Sequence, residues 1–412
     1  MIRADIMAAG RTGGWDNPGA ARRRSFLARA LAAGAFALAP AANGRGPVAS
    51  VRSTTVCLAE FGGKPGAGRP ALVEAFRRAL AALALAGGGT LLVPPGTYDF
   101  GMVDAPLAIL PCRDLRDIVI SAYGAVFIAN TAAPVMPSMF YFFNFDNVTL
   151  AGATFMDHGF SPWINWRGMY CVGIQADRPS CGLRLVDCRA EHVLGLLASN
   201  NGPTGRHLLS DIHVQGTVRN AYYGVGTNHV AGPVSIDLAC HNVRRAYIAY
   251  AARHADVAIR ASADAAWPGS NGFVALVCAG ARQGNVEDVR VLVDVAGACI
   301  HRSYVHFYHQ GPERDGAMRD VEATVNVAGM DAFACMFLFD HESDGVRART
   351  ARQWDRVGLH GRLPPGCAGR VVANPSVSAV PGTVWLDHNL ARPAGVLPAG
   401  FRVAPPPSAS PP

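Results

Sequence analysis

Lysine is nearly missing from this 412-residue chain: Lys64 is the only one, and almost all the basic charge is arginine. Any chemistry that needs a lysine base must therefore use Lys64 or be set aside. Charged residues make up only 16% of the chain while Gly reaches 45 residues, a balance that suits tight turns more than long solvent-facing helices. No CxxC pair occurs among the ten cysteines (57, 112, 171, 181, 188, 240, 278, 299, 335 and 367), so a zinc site of usual spacing is unsupported. Most of them sit in apolar runs such as "IDLACHNV" and "AFACMFLF", where cysteine acts as a small hydrophobe. Pairing of Cys181 with Cys188 or Cys171 is the disulfide alternative. No apolar run comfortably spans a bilayer, and no long basic stripe of the kind that grips nucleic acid is present.

What is present begins with a leader. "ARRRSFLARALAAGAFALAPAANG" holds Arg23-Arg24-Ser25-Phe26-Leu27, the core of a twin-arginine signal, then an alanine-rich stretch and a small-residue cleavage site at Ala39-Pro40-Ala41. Residues 1–41 are therefore expected to be a signal peptide that directs the chain to the periplasm or outside the cell. They contain six Arg and two Asp, a charge of +4, so about +3 of the formal +7 stays with the rest. The high pI then says little about nucleic acid. The end, "LPAGFRVAPPPSASPP", is proline-rich, and 391–412 is expected to be a disordered tail.

Between them, "LALAGGGTLLVPPGTYDF" places three glycines where a phosphate-binding loop comes to mind. A phosphate loop runs strand, glycines, helix, and ends in Lys-Ser/Thr. Here Leu72, Phe76, Leu80 and Leu83 recur at helical spacing after Pro70, so the order is helix, glycines, strand. A nucleotide site is excluded on that order, and Gly87 is expected to end the helix.

The run from Glu60 to Tyr98, "EFGGKPGAGRPALVEAFRRALAALALAGGGTLLVPPGTY", resembles the N-terminal segment of the pectate lyase superfamily and its polygalacturonase relatives. The shared elements are an acidic-Phe-Gly opening, a capping helix, a Gly-Gly-Thr strand and a Pro-Pro-Gly-x-Tyr turn. The resemblance implies an all-β solenoid, a right-handed parallel β-helix with an N-terminal capping α-helix, over 52–390. "KPGAGRPA" stands where the family carries Gly-Asp-Gly and paired acids, so any role of those acids is absent. Short β-branched runs ending in polar turns recur every 20 to 35 residues or so, as in "FDNVTLAGATFMDH", "SDIHVQGTVRN", "VEDVRVLVDVAG" and "MRDVEATVNVAG". Such a rung cannot bury its inner face alone, so coils must stack and the first needs a cap. A β-sandwich also has many short strands but does not explain the helix-first start.

Aligning the coils on their second apolar run places Asn201, His229, His254, Gly280, His309 and His341 in one expected column, with Arg253, Tyr308, Asp340 and Glu342 beside it. Adjacent coils lie about 4.8 Å apart, so these side chains would line one edge. Polar residues also collect at turns for no functional reason. A second cluster, "MDHGFSPWINWRGMY", is expected to be a loop whose Trp163 and Trp166 either stack on sugar rings or cover the core.

The resemblance implies an extracellular polysaccharide, often rich in uronic acid, as substrate or ligand. Hydrolysis needs two carboxyl groups, yet the polygalacturonase motifs Asn-Thr-Asp, Asp-Asp, Gly-His-Gly and Arg-Ile-Lys are all missing; only Asp340 and Glu342 offer themselves. β-Elimination needs a base beside the uronate carboxylate and a cation to neutralise it. His254 or His309 with Tyr308 fit the first role, and Arg253 or Arg302 the second. The family's aspartate-bound calcium cluster has no counterpart, and no cofactor or metal is expected. A non-catalytic carbohydrate-binding or envelope-associated β-helix is the alternative from a different class.

Overall fold

The computed structural model describes residues 54–404, apart from 105–106, 133–134, 164–166, 200–207, 265–266, 268–271, 279–283, 298–302, 310–316, 330–331, 342–353, 366, 374–383, 388 and 391–400. The chain is a parallel β-helix, an all-β solenoid that opens with a capping helix. Each coil visits three parallel sheets in turn. The first runs as a continuous series of parallel pairings from Thr55–Cys57 to Phe401–Val403, with one register shift between Val214 and Gly216. The second starts with Gly96–Val103, Ala125–Thr131 and Thr154–Asp157. The third includes Tyr170–Gln175, Gly195–Ser199, Val274–Cys278, Val305–His309 and Ala332–His341. The last rung, Phe401–Val403, falls in the stretch expected to be tail, so the solenoid extends beyond residue 390. Its alternation of apolar and polar residues lets it add to the sheet edge, where the surrounding prolines had suggested disorder.

The helix α1, Arg69–Leu85, buries Leu72, Phe76, Leu80 and Leu83 against the first coils. Phe76 lies 6.1 Å from the Phe127 ring and 5.7 Å from Phe140, so its ring closes the end of the core. Gly87 (φ 81°) terminates the helix: its N–H donates to Ala84 O and the Gly88 N–H donates to Leu83 O, the paired bonds of a left-handed C-terminus. At Gly89 a Cβ would lie 2.1 Å from Thr54 O, so the third glycine is needed for close strand approach. The glycine triplet therefore joins cap to coil.

Inside, equivalent positions stack. Leu150, Leu185, Val214, Ile236, Val257 and Val291 form one first-sheet ladder of buried aliphatics. Outside, the bends carry polar residues for a backbone reason. Asp117, Asn147, Asp211, His254, Asp288, Asp320 and Arg356 all enter the first sheet at φ near 50°. Asn and Asp tolerate that left-handed conformation best. Elsewhere, buried Asn242 donates to Asn220 and to Asp264, stitching three coils together.

Cys171 and Cys188 are buried and Cys181 is exposed, with no disulfide joining them; burial pushes the Cys188 thiol up to about 12. Among the described residues, no helix is long and apolar enough to cross a membrane.

Candidate functional site

Strand alternation decides which groups face outward. On Val305–His309, Val305 and Phe307 belong to the main core, with Phe307 stacked 4.5 Å from Phe339. His306 and Tyr308 occupy the opposite face, where Tyr308 packs with Ala275, Val277, Ile248 and Tyr250 in a cluster separate from the core. Further toward the N-terminus the same outer face carries Tyr170, Leu194, Ala198 and Tyr223, packed with Tyr222 and Ile248. The third sheet thus wears an aromatic strip outside the coil, and among the described residues the two clusters separate from the main core both lie along it.

Within this strip four polar groups converge. Asp340 is the in-register neighbour of Tyr308 on the next coil, and its Oδ2 lies 3.6 Å from His306 Nε2. The His306 ring is 5.2 Å from that of Tyr308. Arg245 is the in-register neighbour of Tyr223, and its Nε donates to Gly272 O at 3.3 Å. Its charge reaches Tyr170, Tyr223 and His306. Burial holds His306 below the usual histidine value; the Asp340 hydrogen bond and charge act the other way, and Arg245 lowers it further. At neutral pH the imidazole is therefore uncharged and able to accept a proton. Burial first, then neighbouring phenols, keep Tyr170 far above its ordinary value, so it stays a phenol. The strip is closed from water at His306, Tyr308, Ala275 and Val277 and half-open at Tyr222, Arg245, Ile248, Tyr250 and Asp340.

The expected histidine column changes in this register. His309 pairs with His341 and Cys278, and the column continues through Ala251 and His229. Its side chains point inward: His229 and His309 are each 4% exposed, and His309 meets the buried Trp354 ring edge-on at 5.2 Å. His254 does not belong to it. It occupies the left-handed bend before the first sheet (φ 49°), and its Nδ1 lies 3.0 Å from Asp288 Oδ2. Arg253 faces Glu287, Nε to Oε2 3.6 Å. Aligning by apolar runs failed because coil lengths vary, which moved His254 three residues out of register. Of the proposed reactive groups, Tyr308 and Asp340 share the outer strip, whereas His254, His309 and Arg253 lie elsewhere. Asn201, Gly280, Arg302, Glu342 and Trp166 lie outside the described residues, as does the side chain of His341.

His306 and Arg245 were missed, although "VHFYH" contained the signal for the first. Period-two alternation puts His306 and Tyr308 on one face and His309 on the other. Arg245 could not be found that way, because its neighbours come from distant coils.

The "MDHGFSPWINWRGMY" segment is a built loop. Asp157 is buried and accepts from the N–H groups of Thr131 (2.9 Å), Gly159 (2.9 Å) and Met169 (2.7 Å), pinning both ends. Arg244 Nη1 donates to Pro162 O at 3.2 Å while its guanidinium lies 4.5 Å over the Tyr222 ring. Trp163 remains 69% exposed. Among the described residues no group of three His, Cys, Asp or Glu side chains is arranged to hold a metal ion.

Fold and site together define a parallel β-helix protein with an aromatic, arginine-bearing outer strip. No protein-family model and no curated protein matches the chain. Among solved structures it is similar to the A-module of the mannuronan C-5 epimerase AlgE6 of Azotobacter vinelandii, at 13% identity and a TM-score of 0.43. The match covers 85% of this chain and 100% of that one.

Proposed function

We propose that the protein is an exported, polysaccharide-active β-helix that cleaves an acidic, uronate-containing polysaccharide by β-elimination on the outer strip of the third sheet. The observation that carries this reading is the pairing of His306 and Tyr308 on one outward face, with Asp340 one coil above and Arg245 two coils below, where its charge still acts on His306. Arg245 supplies the cation that neutralises the uronate carboxylate, which acidifies the neighbouring C5–H. His306, uncharged at neutral pH, accepts that proton. The electron pair forms the C4–C5 double bond, the C4–O bond breaks, and the Tyr308 phenol protonates the departing oxygen. One proton is taken and one given, so the step balances. Asp340 stabilises the imidazolium as it forms. The twin-arginine motif at Arg23-Arg24 supports export to the periplasm or beyond.

Burial of His306 and Tyr308 favours a second reading, a non-catalytic scaffold that binds glycan along the same strip. Incubation of residues 42–412 with polygalacturonate, alginate and glucuronan separates the two. Elimination gives ultraviolet absorbance from the new double bond together with new reducing ends. Binding without either signal selects the scaffold. Reducing ends without the absorbance select hydrolysis, with Asp340 and Glu342 as the acids. Inversion at C5 without chain cleavage would keep proton abstraction but remove Tyr308 from the role of acid.

A further inference from the structure

Trp163 is a large apolar side chain left in water, 69% exposed, and the backbone beside it is anchored. The loop that carries it is held at both ends by the buried carboxylate of Asp157, which accepts three backbone N–H bonds. A third tether, Arg244 to Pro162 O, holds the residue immediately before the tryptophan. Arg244 in turn stacks on Tyr222, whose ring centroid is 4.6 Å from Tyr223. The residue before the exposed indole is therefore tied through Arg244 to the aromatic strip. A loop that only covered the core would turn its indole inward, as Trp354 does at 0% exposure.

The register gives its place along the strip. Arg244 and Arg245 lie on Val234–Tyr250, which pairs with Val274–Cys278 and then with Val305–His309. Two strand steps of about 4.8 Å put the Arg244 level roughly 10 Å from His306, a couple of pyranose rings away. Arg245 and Tyr250 stand on the Arg244 strand and Tyr308 on the His306 strand, with Ala275 and Val277 between them, a basic and aromatic path complementary to an anionic sugar chain. The flat apolar face of a pyranose matches an indole, while its hydroxyls and carboxylate match guanidinium groups.

We propose that Trp163 is a stacking subsite for a pyranose ring of the acidic polymer, positioned away from the reacting bond so that the protein grips oligomers better than disaccharides. This rests on the reading that the third-sheet strip binds such a polymer. It adds a residue that takes no part in proton transfer.

The test measures binding directly. Affinity is compared for the wild type, Trp163→Ala and Trp163→Phe with polygalacturonate, alginate and glucuronan, each as polymer and as disaccharide. Thermal unfolding verifies that each variant folds. The expected result is about tenfold weaker polymer binding for Trp163→Ala, the scale of losing one well-packed aromatic contact. Trp163→Phe should recover most of it, and disaccharide binding should be unchanged. Equal polymer affinity in wild type and Trp163→Ala overturns the subsite while leaving the activity reading intact. Polymer binding lost in Trp163→Ala but without turnover in the wild type keeps the subsite and overturns the elimination. A wild type that binds none of the polymers overturns both, and a concentration-dependent dimer that Trp163→Ala abolishes without any change in glycan binding overturns the subsite alone.

Discussion

The outer faces of the first and third sheets are built from the same coils yet have opposite chemistry. On the first sheet, and on the second-sheet stretch into which its strands continue, charges pair in water: Arg184 with Asp211 at 3.0 Å and Arg290 with Asp256 at 3.6 Å on the first, and Arg260 with Asp237 at 2.8 Å where the two join. Exposed pairs of this kind contribute little stability but keep the sheet soluble. On the third sheet, His306, Tyr308, Asp340 and Arg245 lie along a strip of packed aromatics, where burial lowers the proton affinity of His306. A solenoid needs polar groups outside; it does not need a half-buried cluster of them. The contrast supports the proposal that function lies on the third sheet.

Five substitutions break or sharpen that contrast. His306→Gln is expected to lower turnover of the acidic polymer roughly 100- to 10,000-fold, the usual worth of a general base, with thermal stability retained. Steady-state rates of folded protein check this. The acid limb of the wild-type pH–rate profile should lie below the ordinary histidine value, because burial lowers the proton affinity of His306. Asp340→Asn should move that limb further down, since it removes the one charge that raises it. Next in size, Phe307→Ala empties a ring from the inner side of the same strand and should cost about 3–5 kcal/mol in denaturant unfolding. A smaller loss would mean the third-sheet core is looser than the stacked Phe307 and Phe339 rings indicate.

A pH-dependent effect follows on the first sheet. His360 is held between Asp387, 2.8 Å from Nδ1, and Glu322 at Nε2, tying three successive coils. Burial lowers its proton affinity, but the hydrogen bonds and charges of the two carboxylates outweigh that and raise its pKa to about 9. A pKa raised on folding stabilises fully below the unfolded value near 6.5 and loses that contribution as pH rises through about 9. Melting temperature should therefore fall between those pH values in the wild type and change less in His360→Gln. The smallest effect is expected for Arg260→Ala: within about 0.5 kcal/mol of wild type and with full activity. A large loss of activity there would erase the distinction between the faces.

How much of this was legible beforehand depended on the distance over which each feature is written. The cap was readable because Leu72, Phe76, Leu80, Leu83 and Gly87 lie within one helix and its end. The solenoid was readable because every coil repeats its alternation. The site was only half readable. Tyr308 and Asp340 were singled out, but His309 was paired with Tyr308 as a sequence neighbour, although adjacent residues of a strand face opposite ways. His254 entered the column because unequal loops shift the register by residues that no single coil reveals. Its left-handed bend also gives it a structural reason to be polar. Arg245 acts on His306 only through the stacking of coils, by its charge, which no local pattern specifies. The boundary at 390 failed for a similar reason: Phe401–Val403 is too short to be seen as a strand until Val384–Leu386 offers it an edge.

The central claim is that chemistry resides on the outer strip of the third sheet. The most direct measurement is the ultraviolet double-bond assay on the acidic polymer, run in parallel on wild type, His306→Gln, Tyr308→Phe, His254→Ala and Arg260→Ala, all verified as folded. The account predicts signal in the wild type, near-complete loss in His306→Gln and Tyr308→Phe, and unchanged rates in the other two. Loss in His254→Ala with activity kept in His306→Gln would contradict it and move the site to the bend that enters the first sheet.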